Sequence, residues 1–130
     1  MARTFGHGPL HRWLGIELGR QDAEGATCRL SPREEFLQEE GVVQGGILTA
    51  LADATAVYPL LEGLGEDRSV TSVEFKLNFL RPATLAQGTL EATSRVLRRG
   101  RSLAVCTSTV RQADREVAHG IFTYTFFERR

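Results

Sequence analysis

The run GVVQGGILTALADATAVY, residues 41–58, is nearly all small or apolar, yet one carboxylate, Asp53, stands in the middle of it. Taking an ionised carboxylate out of water is costly unless it is paired or hydrogen-bonded. An acid placed here is therefore either a structural partner or a working group. Eight residues before it lies Gly45, followed by Gly46, where the helix written by ILTALADATAV begins. The first amides of a helix have no internal partners and point outward with the positive end of the helix dipole, so they can hold an oxyanion. With no side chains in the way, a carbonyl oxygen can reach them directly, as an oxyanion hole requires. The other reading of the glycine pair is a turn that needs positive φ or close packing.

Ile47, Leu48, Ala50, Leu51, Ala52, Ala54, Ala56 and Val57 leave this helix almost no polar face, which predicts burial on most sides. Gly46, Thr49, Ala50, Asp53 and Val57 fall along one stripe of small side chains, open to close approach by a backbone or a slender ligand. Ile47, Leu51 and Ala54 follow a second stripe that supplies core contacts. At about 1.5 Å rise per residue, the Cα atoms of Gly45 and Asp53 are about 12 Å apart along the axis. One small reacting centre does not span that distance. A site using both is more easily made from two chains, each giving its helix N-terminus to the other's acid, which predicts a symmetric dimer with two composite sites.

The rest of the chain must hold that helix. Residues 1–14 predict a short amphipathic helix with Leu10, Trp13 and Leu14 on one face. Strands are expected at Gly15 to Gly19 and Ala26 to Leu30, joined by a turn through Asp22 to Gly25. In SVTSVEFKLNFLRP, the residues Val73, Phe75, Leu77 and Phe79 alternate with Ser72, Glu74, Lys76 and Asn78, the period of a half-buried strand. GTLEATSRVL, RSLAVCTSTVRQ and EVAHGIFTYTFFE follow with short connections, as an antiparallel meander does. The expected architecture is α+β: one long central helix wrapped by a curved antiparallel sheet, in a single domain covering residues 1–130.

Composition narrows the partners. Sixteen basic residues balance sixteen acidic ones, so no overall field would hold the protein on nucleic acid or an anionic membrane, and a small molecule or a protein is expected instead. Cys28 and Cys106 are isolated and read as buried small hydrophobes. His7, His11 and His119 form neither a metal-ligand set nor a catalytic set, and there is no GxSxG elbow and no phosphate loop. MARTFGHGPLHRWLG lacks the apolar run of a secretion signal, and no segment reaches the roughly 18 apolar residues of a membrane span, so a cytoplasmic protein is expected.

Four elements, in this order over roughly residues 36 to 125, carry a family resemblance. They are the G-x-V-x-GG turn at Gly41 to Gly46, the helix ILTALADATA, the segment NFLRPA at Asn78 to Ala83, and RRGRSLA at Arg98 to Ala104. Together they resemble the PaaI-like branch of the hotdog-fold acyl-CoA thioesterases. The resemblance implies a helix wrapped by a five- or six-stranded antiparallel sheet, paired into dimers and often tetramers. It implies hydrolysis of a CoA thioester to a free acid and CoA, with neither metal nor organic cofactor. On it, Asp53 maps onto the acid that serves as nucleophile or as general base on water, and Gly45 onto the glycine whose N–H polarises the carbonyl. Ser72 maps onto a serine that could orient water. Gly46 falls with the substrate-contacting backbone.

Two positions depart from the pattern. Relatives have His-Gly-Gly where this chain has Gln44-Gly45-Gly46, and the Asn six residues earlier is matched by Gln38. Gln donates or accepts a hydrogen bond but does not titrate near neutrality. It can replace a His that only positions, not one that carries a proton. Another hotdog lineage, acting on aromatic acyl-CoAs, is similar in placing a Gln near its site. The hydratase branch's His with Asp or Asn-Pro is not found here. Arg81, Arg98, Arg99 and Arg101 could meet CoA phosphates or be solvated turn charges. The Gln44 departure also keeps open a hotdog protein that binds acyl-CoA or another acyl ligand without turning it over.

Overall fold

The computed structural model describes residues 8–130. Residues 1–7, with His7 and the first part of the expected N-terminal helix, lie outside the described residues. Helix α1 (Pro9–Leu14) has proline in its first turn, and Gly15 ends it at φ 78°, in the left-handed region. Leu14 enters the core, but Leu10 and Trp13 remain more than half exposed. Trp13 instead meets Phe36 edge-on at 5.5 Å, and the Arg33 guanidinium lies against both rings.

Strands β1 (Glu17–Gln21) and β2 (Gly25–Leu30) form a hairpin whose turn is held by Asp22 Oδ1, which accepts the N–H groups of Glu24 and Gly25. Helix α2 (Gly45–Val57) and a 3₁₀ turn (Tyr58–Leu61) come next, then β3 (Arg68–Phe79), β4 (Leu90–Arg99), β5 (Leu103–Gln112) and β6 (Arg115–Glu128). All pairings are antiparallel, in the order β1-β2-β4-β5-β6-β3. β4, β5 and β6 are the expected meander, while β3 returns to the far edge beside β6. The curved, unclosed sheet around one long helix is the hotdog fold.

Burial of α2 follows its composition: Leu48, Leu51, Ala52 and Ala54 to Val57 are buried, whereas Thr49, Ala50 and Asp53 are half-buried and Gly46 is exposed. Strand register aligns Ala26, Ser94, Ser108 and Gly120 in a lane of small residues across β2, β4, β5 and β6. Where the lane passes α2, Ser94 Oγ donates to the Thr55 carbonyl at 2.6 Å and accepts the Ala26 N–H at 3.2 Å. Cys28 and Cys106 are fully buried free thiols. Burial raises the pKa of both, that of Cys106 to about 12, so neither presents a thiolate.

Tyr58, just past α2, is fully buried, and its hydroxyl has no hydrogen-bond partner among the described residues. Burial, with Cys28 beside it, pushes its pKa up to about 12. An unmet buried hydroxyl costs about 1–3 kcal/mol, and its removal leaves a small void that offsets part of the relief. Tyr58→Phe should therefore raise stability by about 1 kcal/mol in urea unfolding. A drop in the midpoint would mean that the hydroxyl is satisfied after all.

β3 departs most from the sequence expectation. The alternation is present, interrupted by a bulge between Ser72 and Glu74. Yet Val73, Phe75 and Phe79 are 54%, 51% and 55% exposed. As the edge strand, β3 has only β6 beside it, so its apolar face lies open in a single chain. Phe75 is covered on one side alone, stacked on Phe122 at 5.2 Å. No helix among the described residues is long and apolar enough to cross a membrane.

Candidate active site

The segment leading into α2 is tied down by backbone bonds. Gln38 N–H bonds Val42 O at 2.9 Å and Gly41 N–H bonds Gln38 O at 3.0 Å, closing a tight turn in which Gly41 sits at φ 81°. Val43 N–H then reaches Ala83 O at 2.8 Å, and Gln44 N–H reaches Phe36 O at 2.8 Å. These bonds fix Gln44 as the residue that starts the helix. Its carbonyl accepts the N–H groups of Ile47 and Leu48, while its side chain makes no capping bond and stays exposed. The amides of Gly45 and Gly46, first in α2, have no carbonyl one turn earlier to take them.

A groove of about 460 Å³ opens at this end of the helix, lined by Gln38, Gln44, Gly45, Leu48, Phe79 and Arg81 among others. Gly45 lies directly under the Phe79 ring: a methyl group there would stand 3.1 Å from its Cζ. The structure thus brings four of the sequence candidates, Gln38, Gln44, Gly45 and Arg81, to one place. Gln38 uses its side-chain oxygen to accept the Glu40 N–H, leaving its amide NH₂. Arg81 ties one guanidinium nitrogen to Glu116 O at 2.8 Å. Gly46 lines the neighbouring hollow with Glu35, Phe36, Leu37, Gln44 and Ile47.

Asp53 is not at this groove. It lies mid-helix, half-buried, and among the described residues it has no ion pair. A group that the sequence reading missed satisfies it: Tyr124 of β6 donates its hydroxyl to Asp53 Oδ1 at 2.6 Å. Ser72 is the register partner of Tyr124 on β3, and directly opposed residues share a face, with Cβ atoms about 5 Å apart. The acid, the phenol and the serine therefore form a second cluster on the same side of the sheet.

The remaining arginines sit at the far end of α2, about 20 Å from Gly45 for a thirteen-residue helix. Arg99 donates to Pro59 O and Leu60 O at 3.5 and 3.1 Å and lies over the Phe126 ring, so it caps the turn after α2. Arg98 and Arg101 are exposed in the β4–β5 hairpin, where Arg101 O accepts a bond from Arg68 at 3.0 Å. His119 shares a hydrogen bond with Thr109 Oγ1 at 2.8 Å, and no group of three or more His, Cys, Asp or Glu among the described residues could hold a metal ion.

One open amide on an apolar groove and one carboxylate held by a phenol are tools for acyl transfer to water. Residues 40–119 match the model of the thioesterase superfamily. The chain belongs to that superfamily. It is 31% identical over 116 residues to a candidate esterase of Mycobacterium tuberculosis, Rv1847, covering 86% of this chain and 81% of the relative. Among solved structures, S. sahachiroi AziG superposes with a TM-score of 0.88 at 29% identity, over 94% of this chain and 98% of that one. A candidate thioesterase from Ralstonia eutropha JMP134, described as related to phenylacetic acid degradation, superposes with a TM-score of 0.83 at 28% identity, over 92% and 93%. The PaaI-like resemblance and the hotdog fold both hold, and membership in this superfamily marks the protein as a hydrolase.

Proposed function

We propose that this superfamily member is an acyl-CoA thioesterase acting as a homodimer with two composite sites. The observation that carries it is Gly45, first residue of α2 and without a helical partner for its N–H, in the lining of a largely apolar groove. The thioester carbonyl accepts that N–H, and negative charge grows on its oxygen as the carbon becomes tetrahedral. Asp53 either takes a proton from the attacking water or attacks the carbonyl itself to give a mixed anhydride that water then opens. In both routes the C–S bond breaks, the sulfur leaves with its electron pair and gains a proton, and the products are the acid and CoA. Gln44 and Gln38 offer amide groups along the groove, and Ser72 stands beside Tyr124 to orient water.

The open edge of β3 supports the dimer. A twelve-residue edge strand with exposed Val73, Phe75 and Phe79 is a surface for strand pairing. Antiparallel pairing with a copy about the strand's middle sets the Ser72 half of one strand beside the Phe79 half of the other. Asp53 of one chain then approaches Gly45 of its partner, and Arg81 approaches the partner's hairpin with Arg98 and Arg101, where phosphates could be held. Pairing of two such dimers gives the tetramer.

The test is thiol release from aryl, short-chain and long-chain CoA esters by the unmodified protein. Turnover of at least one class is the expected result. Binding of these esters in calorimetry with no thiol released would replace this reading with a non-catalytic acyl-ligand binder, the outcome that Gln44 in place of His favours.

A further inference from the structure

We propose that Tyr124 is a positioning residue for this site, whose hydroxyl holds one oxygen of Asp53 and leaves the other to meet the reacting water or carbonyl. The proposal rests on the reading of Asp53 above. Tyr124 is 1% exposed, fixed between Ser72 of β3 and Ala104 of β5 in the strand register. Its hydroxyl lies 2.6 Å from Asp53 Oδ1 and 3.2 Å from the Asp53 main-chain oxygen. That main-chain oxygen already accepts a bond within α2, so the single phenolic proton goes to the nearer carboxylate oxygen.

Oδ2 has no hydrogen-bond donor among the described residues. This asymmetry is the useful part. An arginine would engage both oxygens in a fork and occupy the acid fully. A hydroxyl has one proton to give, so it sets the rotation of the carboxylate while leaving one oxygen free. Burial, and then the charge of Asp53, raise the phenol's pKa well above the ordinary tyrosine range, so it remains a donor at any working pH.

Phe75, stacked on buried Phe122, shares the Tyr124 face at the edge strand. Asp53 itself lies on the stripe of α2 that carries half-buried Thr49 and Ala50 and exposed Gly46. That stripe is where the Gly45 end of a partner helix is required by the composite site.

Steady-state kinetics on the best CoA ester test this with Tyr124→Phe, Asp53→Asn and the double variant. Tyr124→Phe should lower kcat about tenfold with KM within about twofold, because misplacing a reacting group costs rate without costing affinity. In the Asp53→Asn background the same change should cost nothing further, since the hydroxyl acts through the acid. Tyr58→Phe, an equal deletion in the core, should leave kcat unchanged. An inactive Asp53→Asn beside a fully active Tyr124→Phe overturns the positioning role and keeps the acid. A fully active Asp53→Asn removes the acid and this inference with it. An equal loss in both backgrounds shows a structural role and also overturns it. If Tyr124→Phe does not fold, 3-fluorotyrosine at 124 keeps the hydroxyl but alters its donor strength, and should change kcat at constant KM; an unchanged kcat overturns the proposal.

Discussion

Gly45→Pro is expected to leave α2 standing and to lower hydrolysis by about 10²- to 10³-fold, the usual loss when one oxyanion donor is removed. Gly45 is the first residue of α2. Proline is favoured at that position because the missing N–H has no helical partner there. It also demands an extended residue before it, and Gln44, at φ −57° and ψ 135°, already has that conformation. The substitution therefore deletes one proton donor with little else at stake in the backbone. The Phe79 ring crowds this position. Gly45→Ala separates crowding from chemistry: it brings the same Cβ to the ring while keeping the N–H, and should retain activity within about tenfold. Kinetics paired with thermal melts read both effects. A Gly45→Pro variant with full activity and a normal melt would remove this amide from the mechanism.

What could be read from the sequence divides along a physical line. α2 was legible because its apolar run and its glycine pair are local signals, and the β4–β5–β6 meander because its connections are short. The cluster at Gln38, Gln44 and Gly45 was legible for the same reason, lying within seven positions of one another. Tyr124 was not, since it meets Asp53 from 71 residues away. A signal existed nevertheless. The alternation in EVAHGIFTYTFFE puts Tyr124 on the buried face with Phe122 and Phe126, and a buried tyrosine hydroxyl needs a partner, as a half-buried acid needs a donor. The exposed apolar face of β3 was misjudged because periodicity reports which residues share a face and not whether this chain or another covers it. Arg99 shows the converse. Its place in a basic hairpin left open a phosphate contact or a solvated charge, whereas its guanidinium is bound to the carbonyls of Pro59 and Leu60, a partner set no charge pattern reveals.

Mixing two strongly impaired variants should restore activity. In Asp53→Asn the acid is gone from every chain, and in Gly45→Pro the amide is gone. If each site joins the acid of one chain to the amide of the other, a mixed dimer has one site lacking both groups and one site with both intact. Random pairing of equal amounts gives half mixed dimers, so total activity should recover to about a quarter of the unmodified level after the subunits are exchanged by refolding or made together. No other arrangement recovers rate in this way: with acid and amide taken from a single chain, every site in the mixture stays defective. Exchange is verified by separating differently tagged dimers, and verified mixed dimers without activity would defeat the composite site. The expected recovery follows from a distance and an edge. About 12 Å of helix separates Gly45 from Asp53 in one chain, too far for one carbonyl to touch both. The open strand β3 carries Ser72 and Phe79 at opposite ends of its inner face, one beside the acid's phenol and the other over the glycine. Reversing that strand against itself is the simplest operation that closes the gap, and it closes it twice.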